Sequence, residues 1–549
     1  MAIRESLGKD TIMVRRARAH AGAVIVDAKT EARLLNRVLL IALGLGGCVD
    51  IFFYNKDTGI SVLVFVTLVV AALVIMALTE RVRVAWRNSW LALPLFFFAG
   101  MAALRANTEL TLANISATAF LLLLFIYFFT GSRVESLGLL GYPFTAARML
   151  KETIWRPTPI ASGALKQMAA NPNQNKRIAE ITRGVLLALP ILALFTLLLS
   201  SADSVFQGMV GDLFQFRFMS GAPEAALRVF IILLSAWAIA GALLHTLRKQ
   251  PTLATPRANS GPSTVPLTRR GISYVEGALV LLLVNALFAV FAWIQFTVLF
   301  SGEAARTMGF EDFREYVRRG FGELLVVALL TMALIIGLRR VMRRATEGQQ
   351  RNLNILNTAM IALAMVLLVS AFMRMVVWEN IAFYINTATR LYVRTFIVCL
   401  GALFMWLFIT TWLRRDRFAI GAFITAIAFL VSVNLINPDA DVAAYNLRRN
   451  DELSVRFVYL LSDDAVPALV AGLDTTTGSV HAQLVTELVQ RLYRMEHDAR
   501  WRDWQSFNLS RWDAYDALVQ ARSAGKFALN RPRSDISYTA NNASGLDRE

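Results

Sequence analysis

Long apolar runs broken by short polar connectors set the rhythm of this chain. The runs lie at 38–54, 60–78, 90–104, 110–129, 185–200, 226–244, 277–300, 324–338, 355–377, 395–413 and 418–435. A mostly apolar helix of about 20 residues crosses a ~30 Å hydrocarbon core, so about eleven transmembrane helices are predicted. A different pattern fills 310–321, where Phe310, Phe313, Tyr316, Val317 and Phe321 recur at helical spacing opposite Glu311, Arg314, Glu315, Arg318 and Arg319. That alternation predicts an amphipathic interfacial helix. Beyond residue 435 the apolar runs stop. Leu484, Leu488, Leu492 and Met495 then form a helical stripe, Ser462-Asp463-Asp464 reads as a helix start, and another helix is expected from near Asn508 to Arg522. The fold class predicted is all-α, a polytopic integral membrane helical bundle with a small helical extramembrane domain at its C-terminal end.

Composition supports a membrane chain: 549 residues, 56% hydrophobic and 17% charged, with a mean hydropathy of +0.51. A net charge of +17 would suggest nucleic acid if it gathered on one folded unit, but here it follows topology. Of the 43 Lys and Arg before residue 436, 32 fall in every second connector: 1–37, 79–89, 131–183, 246–272, 339–353 and 413–417. Cytoplasmic loops carry such an excess, which predicts a cytoplasmic N-terminus and, with eleven crossings, a C-terminal domain outside. The basic leader lacks the pattern of a cleaved signal peptide, so the first run is expected to act as an uncleaved anchor. The expected organisation is a basic cytoplasmic segment (1–37), a first transmembrane half (38–245), a flexible Pro/Ser/Thr-rich cytoplasmic linker (246–272), a second transmembrane half (273–435), a helical extramembrane domain (436–523) and a disordered end (524–549). Within 131–183, Tyr142, Phe144 and Trp155 are expected to lie on the headgroups. The halves show no internal similarity of the inverted-repeat kind. Cys48 and Cys399 sit far apart in apolar runs, the four histidines have no metal-ligand spacing, and no cofactor motif is found.

The stretch Trp378–Phe396, WENIAFYINTATRLYVRTF, sets charged and amide side chains between two apolar runs. Ionisable groups at such depth are costly unless paired or wet, so they are functional candidates by default. The candidate polar site gathers Asp50, Glu323, Arg374, Glu379, Arg390, Arg394 and Asn437, all near the expected outer boundary, with Asp203 and Asn434 close by. Arg390 and Arg394 share a helix face. Either acids such as Glu323 and Glu379 neutralise them, or an anionic lipid or solute does. Asp439 and Asp441, two residues apart after Pro438, are weak candidates for a hard-cation site. The competing reading has Asp441 cap a short helix.

Several pieces, taken in order, resemble a known family: Asp50-Ile51-Phe52-Phe53-Tyr54 with Gly59, Ser201 to Phe206, Tyr316 to Leu324, Thr387 to Tyr392, Asn437 to Asn446, Tyr459 to Ser462, and Ser506 to Arg511. The resemblance is to an uncharacterised group of bacterial polytopic membrane proteins, domain of unknown function 4173, related to group 4153. Ile385-Asn386 stands where that group often has Gly-Leu, and Gly322 where a bulkier residue is common. The resemblance implies a bacterial inner-membrane location and no established activity. Function is therefore argued from the site. A transport-related protein or accessory subunit with a charged outer vestibule is the first expectation. A membrane transferase acting on a lipid-linked substrate, with Asp50, Asp439 or Asp441 as base or metal ligand, is the alternative, and a scaffold acting through the C-terminal domain is the third. The expected partners are the bilayer, an anionic lipid or solute, and a protein bound by the C-terminal domain, with no nucleic acid.

Overall fold

A computed structural model describes residues 33–155, 157, 222–248, 272–295, 310–342, 346–381, 388–413, 417–448 and 458–527. The helices in it are α1 (Arg33–Phe53), α2 (Ser61–Thr79), α3 (Ala92–Leu104), α4 (Thr108–Phe128), α5 (Gly141–Trp155), α6 (Ala222–Arg248), α7 (Tyr274–Gln295), α8 (Phe310–Val341), α9 (Glu347–Ile381), α10 (Ala388–Trp412) and α11 (Phe418–Ile436). The C-terminal domain adds α12 (Pro438–Leu447), α13 (Val466–Gly472), α14 (Gly478–His497) and α15 (Leu509–Ser523). Among the described residues nine helices are long and apolar enough to cross a membrane: α1, α2, α4 and α6 to α11. The chain is an all-helical polytopic membrane bundle. The predicted third crossing is a 13-residue helix, α3, entered through the 3₁₀ turn Trp86–Leu91. The predicted run 185–200, Asp203 and the linker 249–271 lie outside the described residues.

Two predicted elements take a different form. The amphipathic segment at 310–321 continues unbroken into its membrane span as the single 32-residue helix α8. Of the aromatics expected on the headgroups, Phe144 and Trp155 are exposed but Tyr142 is buried. Its ring stacks on Phe423 of α11 with centroids 4.4 Å apart, and its hydroxyl donates to the Val134 carbonyl. Burial, and then the nearby Glu135 charge, push the Tyr142 phenol up to about 12. The reason for the inward turn is packing: α5 is amphipathic and lays Tyr142, Ala146 and Met149 against α4 and α6.

In lipid, helices gain little from burying apolar surface and associate through close packing and hydrogen bonds. Both devices are present. A β-carbon on Gly241 would fall on the Thr153 carbonyl, so glycine lets α6 touch α5 backbone to backbone. Asn114 of α4 and Asn434 of α11, both fully buried, exchange two side-chain hydrogen bonds at 2.8 and 2.9 Å. Asn285 of α7 donates to Leu356 of α9, and Asn354 of α9 to Thr411 of α10. One core joins α1–α6 to α11, and a second joins α7–α10. The last span thus packs back on the first half.

The C-terminal domain has a core of its own. Leu484, Leu488 and Leu492, the predicted stripe, are fully buried against Val466, Leu469, Ala514 and Leu518. Taking each such leucine out of water stabilises by about 2 kcal/mol. The domain sits on the connectors 54–60 and 105–107, at the far end of α1 from Arg33. The end near Arg33 instead holds the connectors tied by Ala85 to Phe129 and by Trp406 to Arg417. Arg33 and the C-terminal domain therefore lie at opposite ends of α1. Reporter fusions after Arg87 and after Arg522 should read opposite sides of the membrane, and a shared side would contradict this arrangement.

Candidate functional site

Where α3 ends and α4 begins, the chain reverses in three residues, Arg105, Ala106 and Asn107. Asn107 is the N-cap of α4, its Oδ1 accepting from the Leu110 amide at 2.9 Å. The turn still presents two amides with no helical partner. Asp464 of the C-terminal domain takes both, its two oxygens accepting from Ala106 N at 2.9 Å and Asn107 N at 3.0 Å. The carboxylate is buried, and hydrogen bonds to a charged acceptor are about twice as strong as neutral ones. Arg105 meanwhile donates twice to the Asn434 carbonyl at the end of α11, at 2.6 and 2.9 Å. The Arg105 and Ala102 carbonyls accept from Asn508 of the domain. Four separate parts of the chain meet at this turn.

The neighbouring connector is held in the same way. Ile60 N donates to Phe507 O at 2.9 Å and Asp57 N to Ser506 Oγ at 3.0 Å. Lys56 pairs with Asp503 at 2.7 Å, and Arg511 with Asp57 at 3.0 Å. A β-carbon on Gly59 would stand 2.5 Å from the Phe507 carbonyl, so this approach needs glycine.

Asp439 completes the junction. It is buried, accepts from Asn107 Nδ2 at 2.9 Å and from Ser462 N at 3.0 Å, and takes the Ser462 hydroxyl as well. Ser462 lies in a segment whose carbonyls (Val458, Leu461, Ser462) accept from the buried Arg491 guanidinium, itself paired with buried Glu487 at 2.9 Å. Each charge in that pair has a partner, as burial demands.

The predicted site residues fall into separate places. Asp50 is buried and accepts from Arg228 of α6 at 2.7 to 3.1 Å, with that guanidinium 5.2 Å from the Tyr54 ring centre. Asn437 adopts a left-handed conformation (φ 53°), which asparagine tolerates, and caps α12 through its Oδ1. The capping role foreseen for Asp441 therefore belongs to Asn437, with Pro438 at the first helical position, where its missing amide costs nothing. Asp439 and Asp441 lie on a helix, not an extended strand, so they point apart. Asp439 is buried in the junction and Asp441 is exposed. Among the described residues no cluster of three His, Cys, Asp or Glu could hold a metal. Arg390 and Arg394 are half-buried near the start of α10. Glu323 is exposed on α8 and forms no ion pair with either. The side chains of Arg374 and Glu379, both in α9, lie outside the described residues, as does Asn386.

Two cavities line the seam between domain and bundle. One, of about 290 Å³, is bounded by Arg105, Asn437, Asp463, Asp464 and Asp513. The other, of about 270 Å³, is bounded by Asp57, Asp463, Arg491, Asp498, Trp501 and Arg511. In the second, hydrogen bonds from Arg500 hold the exposed Asp498 carboxyl down to about 2.

Against known families, residues 40–472 match one model, described as a domain of unknown function (DUF4153). The chain belongs to the DUF4153 family. The DUF4153 match runs from α1 through α13, so it takes in Asp439, Ser462 and Asp464 as well as the spans. No curated protein and no solved structure matches the chain.

The junction residues Asn107, Asp464, Asn508 and Arg491 escaped the sequence reading as a site, although Ser462-Asp463-Asp464 and Asn508 were legible as helix starts. Asp464→Ala would leave the Ala106 and Asn107 amides without their acceptor. It should destabilise detergent-solubilised protein by about 1–3 kcal/mol, seen as a lowered Tm. Asp441→Ala should change stability by less than about 0.5 kcal/mol.

Proposed function

We propose that this DUF4153 protein serves transport across the membrane, as a carrier or an accessory subunit, with an anion-attracting vestibule formed by Arg390 and Arg394 on the face covered by the C-terminal domain, to which the sequence adds Arg374 as a candidate. Arg390 carries the reading. Its Nη1 is buried and has no hydrogen-bond partner among the described residues, and a buried charged donor without an acceptor is costly. An anionic headgroup or solute supplies the missing acceptor. Asp439 and Asp464, the acids of the adjoining junction, each already serve donors of their own. We take the Arg33 end as cytoplasmic because the Lys and Arg excess gathers in its connectors, and the C-terminal domain as outside. The ordered motifs further suggest the bacterial group 4173 within this wider kinship, and hence a bacterial inner membrane.

The transferase alternative has less support, since Asp50 is held by Arg228 and Asp439 by three donors. A scaffold role draws on the C-terminal domain, where exposed Tyr459 and Tyr493 line one shallow pocket with Gln490 and Arg494. Tyrosine and arginine are common anchors of protein interfaces.

Arg390→Met tests the vestibule. Thermal unfolding of purified protein would be followed with added inorganic phosphate and, separately, with phosphatidylglycerol in the micelles. One of these anions should raise the Tm of the unaltered protein and bind roughly 10- to 100-fold more weakly to the variant, whose ligand-free Tm stays unchanged. A variant with a lowered ligand-free Tm, together with no anion response in either protein, would make Arg390 structural and remove the vestibule.

A further inference from the structure

We propose that the C-terminal domain is seated in the bilayer surface through Trp504, whose indole occupies the boundary between phospholipid headgroups and acyl chains beside the end of α1. This inference rests on α1 being a membrane span. The Trp504 ring meets Phe52 edge-on, with centroids 5.5 Å apart and planes at 83°. Phe52 is the penultimate residue of the span Arg33–Phe53. At 1.5 Å of rise per residue, the indole is held within a few ångströms of the depth at which that span leaves the hydrocarbon.

The residues on either side of Phe52 at this end of the helix are exposed. Trp504 is 55% exposed, Ile51 54% and Phe53 37%. Exposed apolar surface on α1 is covered by acyl chains, and the indole lies next to it. Tryptophan suits that layer because it has a large apolar ring and one N–H for the wet side. The placement is rigid. Gln505 Nε2 reaches the Ile51 carbonyl at 3.4 Å, Ser506 Oγ holds Asp57 N, Phe507 O holds Ile60 N, and Asp503 pairs with Lys56. Every residue from 503 to 507 is thus tied to the final turn of α1 or to the connector after it. The occupant is phospholipid rather than a second protein, because the exposed indole is fixed against the last turn of a membrane span, at the depth where that span meets the headgroups.

The test uses full-length protein in liposomes of phosphatidylcholine and phosphatidylglycerol, with Cys48 and Cys399 replaced by serine and a nitroxide placed at Trp504→Cys or at Ile51→Cys. Collision of the label with oxygen and with a water-soluble nickel chelate reports depth. The label at 504 should match the shallow-membrane value of the label at 51. A water-like value at 504 beside a membrane value at 51 overturns the proposal alone, and water-like values at both overturn the membrane span itself. Should Trp504→Cys fail to fold, Trp504→Phe serves instead. Lipids brominated near the headgroup should quench the unaltered protein more than this variant, and equal fractional quenching would overturn the seating.

Discussion

Two backbone amides, those of Ala106 and Asn107, set the problem that the rest of this molecule answers. They stand where α3 gives way to α4, at the end of the bundle, half-buried under the C-terminal domain. Helix starts leave such amides unpaired, and burying them without an acceptor costs free energy. Here the acceptor arrives from Asp464, 357 residues on. Because Asp464 is one residue beyond Asp463 and two beyond Ser462, its position is fixed by the same segment that Arg491 grips through three carbonyls. The core of the domain, through α14, therefore determines where the carboxylate stands. The bundle in turn supplies Asn107 and Arg105, which tie α12 and the end of α11 to the same turn.

This arrangement divides the energetics between two solvents. Inside the bilayer, apolar surface is already satisfied by lipid, and specificity comes from amide pairs such as Asn114 with Asn434 and from glycines that let backbones approach. In water, the C-terminal domain folds on an ordinary leucine core. The junction belongs to neither regime. It is made of charge-assisted hydrogen bonds to buried carboxylates, which hold direction as well as position. The Asp50–Arg228 pair does the same between α1 and α6, with the cation resting over Tyr54.

Much of the architecture was legible because run length is a sufficient signal for membrane helices and a 3.6-residue stripe for the domain. Nine predicted runs are span-length helices in the described residues, and Leu484, Leu488 and Leu492 are the buried face they promised to be. The junction was less legible. Asn437 to Asp441 admits both an extended and a helical reading, and only the left-handed Asn437 decides for the helix, sending Asp439 inward and Asp441 outward. Tyr142 looked interfacial because its connector is basic, and its stack on Phe423 joins residues 281 positions apart in sequence. The family-like pieces at 50–59, 437–446, 459–462 and 506–511 were visible only as an ordered list. In space they meet at one seam: Gly59 admits Phe507, Asp439 holds Ser462, and Arg511 pairs with Asp57.

The central claim is that the C-terminal domain completes the α3–α4 turn rather than hanging from the bundle on a free connector. Hydrogen exchange of the peptide spanning residues 104–108, measured in the intact reconstituted protein and in a form carrying Asp464→Ala, addresses it most directly. The account predicts slow exchange at Ala106 and Asn107 in the intact protein and a rise of at least about tenfold in the variant, the change that a loss of about 1.4 kcal/mol produces. Rapid exchange at both amides in the intact protein would contradict it.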